Sequence, residues 1–419
     1  MYTVQDIRTF VHSSAGLRSG RRVVSRTVIF LGLTSMFTDI SSEMVATILP
    51  LYLVLTLGFT PLQFGVVDGY QRGAAALVSL SSGLFSDRRK RHKEVATAGY
   101  GLSAICKPLY VAVGSSFAAL GAVVFADRIG KGIRTAPRDA LISLSTPRDS
   151  LGTAFGVHRA LDTFGAMLGP LLAFGILALA PNDFDAIFIV SFCIAVIGVG
   201  IIVLMVRGDR ETMPSSEAGA TWSDVSMLVR EPRFRSLLVA AGVLNLVTIS
   251  DAFLYLGLQR QMDLDTTLFP LLYTVTAFSF MVMAVPMGWL ADKVGRGRML
   301  IGGYVLLLAL YASLLLPGGG TMALIGYLIV FGAFYSATDG VLAALGASVL
   351  PRGTQATGLA LLLTVTSLCR LGGSVLFGLI WTTIGFEDAV KISAVGLVVG
   401  IVIGAVLIRG GRRAAEAAA

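Results

Sequence analysis

Charge is scarce in this chain. Only 14% of its 419 residues are Asp, Glu, Lys or Arg, where a soluble domain carries roughly a quarter. That shortage argues against a soluble enzyme of this size, whose surface needs far more charge. Cysteine and histidine are scarcer still, with three of each. Cys106, Cys193 and Cys369 lie far apart in apolar runs with no CxxC, and read as small buried hydrophobes. His12, His92 and His158 are scattered, so neither a metal site nor a cofactor is expected. No N-x-S/T sequon occurs. The N-terminus holds Arg8, Arg18, Arg21, Arg22 and Arg26 but no separate apolar h-region before a cleavage site, so a cleaved signal peptide is not expected. Val4, Ile7, Phe10 and Val11 mark either one face of a short interfacial helix or a disordered tail. With no Walker A run, no G-x-S-x-G and no soluble domain, a membrane enzyme or receptor lacks support.

Apolar residues are abundant instead: 55% of the chain is hydrophobic and the mean hydropathy is +0.80. Disorder is excluded, and long apolar runs call for lipid as solvent. Twelve stretches reach the roughly 20 residues that a span needs. They run at 27–57, 61–85, 95–115, 116–142, 150–180 and 186–206, then at 236–258, 268–290, 299–317, 321–349, 354–384 and 392–408. The expected fold is an all-α membrane protein with 12 transmembrane helices. Its parts are a tail 1–26, a six-helix lobe 27–206, a polar loop 207–235, a second six-helix lobe 236–408 and a tail 409–419. Within the loop, Trp222, Val225 and Val229 recur at helical spacing, which suggests a helix on the membrane surface that Pro232 would end.

The net charge of +8 is mostly topological. With the N-terminus in the cytoplasm, 23 of the 33 Lys and Arg residues fall in cytoplasmic segments and only Arg260 and Lys391 fall on the other side. The positive-inside rule then places both termini in the cytoplasm of a bacterial inner (plasma) membrane, and nucleic acid drops out as a partner.

Two segments repeat at a spacing of 205: Gly83-Leu84-Phe85-Ser86-Asp87-Arg88-Arg89-Lys90-Arg91 and Gly288-Trp289-Leu290-Ala291-Asp292-Lys293-Val294-Gly295-Arg296. Pro147-Arg148 and Pro351-Arg352 repeat at 204, as do Gly169 and Gly373. A half-length repeat means two pseudo-symmetric six-span halves in parallel orientation.

With these motifs the chain resembles the major facilitator superfamily over essentially its whole length. The G-x-x-x-D-R/K-x-G-R-x-R loop is that superfamily's signature. The second copy matches it fully, while the first has Lys90 where Gly is usual and Lys93 where Arg is. The run from Ala126 to Ala140 and that from Ala154 to Asp162 look like a bacterial and archaeal branch whose members mostly lack an assigned substrate. The resemblance implies gating by Gly83, Asp87, Arg88 and Arg91 with Asp139, and by Gly288, Asp292 and Arg296. Asp87 and Arg91 would brace neighbouring helices, and Asp139 would partner the loop arginines. Plain topology also accounts for the basic residues. Arg128 followed by Gly132 matches a span-4 pattern associated with coupling protons to substrate. Gly156, Gly165, Gly169 and Pro170 resemble the helix-packing motif of exporters, but Ala173-Phe174 replaces its closing Gly-Gly.

Sixteen charges lie within spans, thirteen of them in the first half. Each costs roughly 2.5–3.5 kcal/mol at mid-span, so they pair, neutralise or line a watery cavity. Asp39 and Glu43 share one face of span 1. In a low dielectric two such carboxylates oppose each other's ionisation, as suits a proton carrier; alternatively each is paired with a cation. Asp127, Lys131, Arg134 and Arg138 form a stripe on span 4. The stripe either attracts an anionic substrate or forms a ladder to Asp162, Asp39 and Asp68. Asp68 and Arg72 can also pair on their own helix. His158 and Asp162 sit one turn apart with Arg159 beside them, and His158 either titrates or is structural. Proton coupling is accordingly assigned to Asp39, Glu43, Arg128, His158 and Asp162. The substrate cavity is assigned to Asp68, Arg72, Lys107, Asp127, Lys131, Arg134, Arg159, Asp251, Asp339 and Arg370, the last three as one cluster. The expected function is secondary active transport by alternating access: a monomer in the bilayer exporting a small organic molecule in exchange for protons. A proton-coupled importer of an organic anion is the alternative.

Overall fold

The computed structural model describes residues 25–89, 91–147, 150–206, 227–316, 320–350 and 355–418, without the side chains of 80, 83, 84, 87–89, 152, 355, 356 and 409–418. The interfacial-helix residues Trp222 and Val225, together with Lys90, Arg148, Pro351 and Arg352, lie outside them, as do the side chains of Gly83, Asp87 and Arg88. Residues 227–230 are helical, and the chain turns at Glu231, directly before Pro232.

The described chain is helical almost throughout. α1 is Arg26–Leu51, continued by a π-helical turn at Tyr52–Thr56. α2 is Pro61–Arg89, α3 His92–Ala112, α4 Phe117–Leu144, α5 Leu151–Leu179 and α6 Phe184–Met205. α7 (Pro232–Leu246) and α8 (Asp251–Met262) together form the seventh span. α9 is Phe269–Val294, α10 Arg296–Leu314, α11 Gly320–Val349, α12 Gln355–Ile384 and α13 Phe386–Ala418. Local chemistry sets the ends. Ser25, Ser116, Asp183 and Glu231 each accept a backbone N–H of the turn that follows, as N-caps do. Gly295, at φ +101°, and Gly385, at φ +94°, make the reversals after α9 and α12 that a side chain would strain.

Nine of the described helical segments are long and apolar enough to cross a membrane. α2, α3 and α4 do not meet that measure, and they hold much of the internal charge. Large apolar side chains are exposed along α6 (Ile197, Val203, Leu204) and α13 (Val395, Val399, Val402), a surface suited to lipid. Cys193 is exposed on α6 as well, so the expectation that all three cysteines are buried holds for Cys106 and not for Cys193.

The seventh span is broken, which hydropathy does not reveal. At Val247-Thr248-Ile249-Ser250 the Thr248 hydroxyl bonds back to the Leu244 carbonyl at 2.7 Å, and Ser250 caps the restarting helix. Such side chains compete with the backbone for its own hydrogen bonds. The Ile249 N–H freed by the break donates to the Tyr311 hydroxyl at 2.7 Å, as burial away from water demands.

The described residues divide into two compact units, one holding 25–206 with Leu264–Thr274 and the other 227–263 with 275–418. In the first, α1 and α5 touch backbone to backbone. A Cβ on Gly165 would stand 2.4 Å from the Met36 carbonyl oxygen, and one on Gly169 2.8 Å from that of Ile40. In the second, Gly373 of α12 meets the Leu246 carbonyl of α7 at 2.4 Å in the same way. Gly169 and Gly373, alike in sequence, thus do the same work in each unit. Gly156 departs from its expected packing role: among the described residues nothing lies within 4 Å of where its Cβ would be. Gly165→Ala is therefore expected to cost about 1–3 kcal/mol through overpacking. Gly156→Ala should be neutral, or stabilising by up to about 1 kcal/mol from helix propensity. Thermal unfolding midpoints of the two purified variants provide the check, and equal midpoints would count against a close α1–α5 contact.

Candidate functional site

The charges of the first unit meet on α4. Asp127 is buried and accepts from Lys107 Nζ of α3 at 3.1 Å and from Arg128 Nη2 at 2.8 Å. Lys107 is wholly buried. Its reach depends on a close α3–α4 crossing, where a Cβ on Gly130 would stand 2.7 Å from Ser103 Oγ and 2.8 Å from the Gly99 carbonyl oxygen. Gly132, expected to serve coupling, packs against the Ala75 carbonyl of α2, 2.5 Å from where its Cβ would be.

Further along α4, Arg134 reaches Asp39 of α1 at 3.4 Å, and its guanidinium lies 4.7 Å from the Tyr100 ring centre, a cation–π distance. Arg138 donates to Ser35 of α1 at 3.1 Å, ion-pairs with Asp139 at 2.9 Å and lies 4.0 Å from Asp162 of α5. Ser35 and Tyr100 share a hydrogen bond of 3.2 Å. Arg159 pairs with the other Asp162 oxygen at 3.3 Å. Asp162 of α5 is an electrostatic neighbour of Asp39 across the helix boundary, beside Glu43 one turn along α1. His158 is buried beside this group, and its Nε2 has no hydrogen-bond partner among the described residues.

Two charges stand apart. Glu43 and Lys131 are half-buried, yet neither makes an ion pair within 4.0 Å or a side-chain hydrogen bond among the described residues. Glu43 lies in the electrostatic reach of Arg128, and Lys131 in that of Asp39. Asp68 is taken up by Arg72 on its own helix at 3.0 Å, so the ladder from α4 extends to Asp39 and Asp162 but not to Asp68.

In the second unit Arg370 of α12 pairs with Asp339 of α11 at 3.1 Å and donates to Asn245 of α7 at 2.6 Å. Asp251, in the first turn of α8, accepts from the Tyr335 hydroxyl. Two members of the expected cluster of Asp251, Asp339 and Arg370 are thus in direct contact, Asp339 with Arg370. Phe253, Tyr255 and Phe334 are buried packing residues. Ser35, Tyr100 and Asn245 were missed from sequence. Asn245 alone carried a signal, as an amide inside an apolar run.

Of the loop residues, Arg296 pairs with Asp292 at 3.5 Å and donates to the Ala344 carbonyl of α11 at 3.1 Å, tying the α9–α10 turn to a neighbouring helix. Gly288 lies within α9. Asp139 spends its charge on Arg138, and Arg91 is exposed, so Asp139 is engaged by its own helix and not by Arg91.

Residues 31–374 match the family model of the Major Facilitator Superfamily. An uncharacterised MFS-type transporter of Methanocaldococcus jannaschii is 31% identical over 369 residues, covering 86% of this chain and 89% of that one. The fold is similar to that of the nucleoside transporter NupG, with a TM-score of 0.71, 16% identity and coverage of 92% of this chain and 99% of that one. It is also similar to a POT family transporter in complex with a thioalcohol-conjugated peptide, with a TM-score of 0.75, 11% identity and coverage of 93% and 96%.

Proposed function

Because the chain belongs to the major facilitator superfamily, a family of multi-pass membrane transporters and not of enzymes, we propose that it exports a small organic molecule in exchange for protons. It works as a monomer by alternating access, with 27–206 and 236–408 as its lobes and both termini in the cytoplasm of the plasma membrane. One observation carries the coupling: Asp39 and Asp162, on different helices, answer to the same line of arginines on α4, Arg134 and Arg138. Intramembrane carboxylates of this kind mark proton pathways. A proton on Asp39 cancels the charge that holds Arg134 and so frees α1 from α4. Loss of the proton restores the pair. His158 and Arg159 lie beside Asp162 and set the field of this exchange, while Arg128 acts on it through Asp127 at the other end of the α4 line. The two bonds of Arg296, to Asp292 and Ala344, suit a latch at the loop that opens and closes with the cycle.

Export draws its support from the Gly165, Gly169 and Pro170 run of α5, which brings that helix onto α1 beside the acids. Import of an organic anion is the second reading, favoured by Lys131, which makes no ion pair within 4.0 Å among the described residues. An accumulation screen of a deletion strain against a metabolite panel identifies a substrate, and proteoliposomes then decide direction. With an acidic lumen, export by antiport predicts substrate accumulation that a protonophore abolishes. Uptake driven by an inward proton gradient would instead sink the export reading.

A further inference from the structure

The first unit contains a register that stops one step short. Arg138 of α4 bonds Ser35 of α1, and Arg134 of α4 bonds Asp39 of α1. Numbers rise on one helix as they fall on the other, by one turn each. A further turn brings Glu43 to the level of Lys131, where Gly130 faces α3. Glu43 lies in the electrostatic reach of Arg128, about one turn from Lys131, and Lys131 in that of Asp39, one turn from Glu43. The first two rungs are closed by direct bonds. The third brings an anion and a cation to the same level, and neither makes an ion pair among the described residues. Every other charge described on α4 has a partner within 4.0 Å: Asp127, Arg128, Arg134, Arg138 and Asp139. A half-buried charge left open inside a span is costly, and two open charges of opposite sign at one level are complementary to a molecule that carries both signs.

We infer that Glu43 and Lys131 form a binding rung for a zwitterionic small molecule, Glu43 taking its cationic group and Lys131 its anionic group. Glu43 presents acceptors only and Lys131 donors only, so the two ends are told apart. Charge-assisted hydrogen bonds supply the affinity. Closure of Gly169 against α1, 2.7 Å from Glu43 Cβ to where a Cβ would sit, fixes the backbone that bears Glu43. The assignment rests on the transport reading and names its substrate class. It also moves Glu43 from proton carriage, expected from sequence, to substrate recognition.

The test uses the full chain in nanodiscs and a panel in which each zwitterion, the amino acids and betaine among them, is matched by its amine and its carboxylic acid. The expected result is thermal stabilisation by at least one zwitterion, with its matched amine and acid each binding roughly ten- to a hundred-fold more weakly, the worth of one lost charge-assisted bond. Glu43→Gln and Lys131→Gln should each weaken the zwitterion by a similar factor, and the exchange E43K with K131E should recover part of it. Monodisperse elution shows that the variants fold. The inference is overturned if no zwitterion of the panel stabilises the wild type, if the acid alone binds as tightly as the zwitterion, or if both single variants bind unchanged. Binding of the zwitterion with no response to a pH gradient would instead overturn proton coupling and leave the rung standing.

Discussion

Replacing Asp127 with alanine should cost the first unit about 3–5 kcal/mol, the penalty for removing one partner of a buried ion pair. Asp127 is the carboxylate that holds both Lys107, wholly buried, and Arg128. Without it two cations remain inside a span with nothing to offset their desolvation. Against a typical total stability of about 5–15 kcal/mol, that loss should appear as a sharp fall in yield and in the unfolding midpoint in detergent. Lys107→Met is the informative companion. It leaves Asp127 bound to Arg128, so its cost should be smaller, and added to the Asp127→Ala chain it should recover part of the loss. If the double variant is as unstable as the sum of the two singles, Lys107 and Asp127 are not a coupled pair.

The second large effect is on transport. Asp39→Asn is expected to lower pH-driven transport to the level of protein-free vesicles while substrate exchange without a gradient persists. Asparagine keeps the shape and cannot carry the proton, so the helices still move but the proton no longer enters the cycle. Arg134→Gln should have a related signature. With the cation that answers to Asp39 gone, the proton loses its lever and gradient dependence flattens. Glu43→Gln should leave the response to the gradient in place and raise the substrate concentration needed. If Asp39→Asn and Asp162→Asn both leave gradient-driven transport unchanged, the coupling assignment to this pair is wrong.

Much of the fold is legible in the sequence because lipid imposes a simple demand. A span must be apolar for about 20 residues and satisfy its backbone internally, so length and apolar runs read together mark twelve stretches close to the helices observed, although α2, α3 and α4 carry too much charge to pass on hydropathy alone. α4, expected at 116–142, runs Phe117–Leu144, and α12, expected at 354–384, runs Gln355–Ile384. The repeat was equally legible, since Gly169 and Gly373 recur at one offset and pack on the equivalent helix of each unit. The break between α7 and α8 was not. Val247-Thr248-Ile249-Ser250 is as apolar as its surroundings, and the break depends on a hydroxyl from Tyr311, 62 residues away, to take the freed Ile249 N–H.

The sequence by itself determined that this chain lives in a membrane, that it is built twice over, and that charge crowds into the first half. Composition and periodicity are properties of the chain alone, and lipid reads them directly. Only the tertiary structure decided which charges belong together. Sequence offered Asp39 with Glu43, one turn apart on a single helix, and the fold adds Asp162 of α5 as a neighbour of Asp39 from another helix. It offered Asp68 to the α4 stripe, but Arg72 holds it. Pairing inside a membrane is settled by which helix faces lie within a few ångströms of each other, because the attraction offsets the desolvation of both partners only at close approach with good hydrogen-bond geometry. That distance is set in part by glycines such as Gly130 and Gly165, whose missing side chains let the helices close. The same geometry leaves Glu43 and Lys131 without an ion pair among the described residues, a feature that no count of charges along the chain contains.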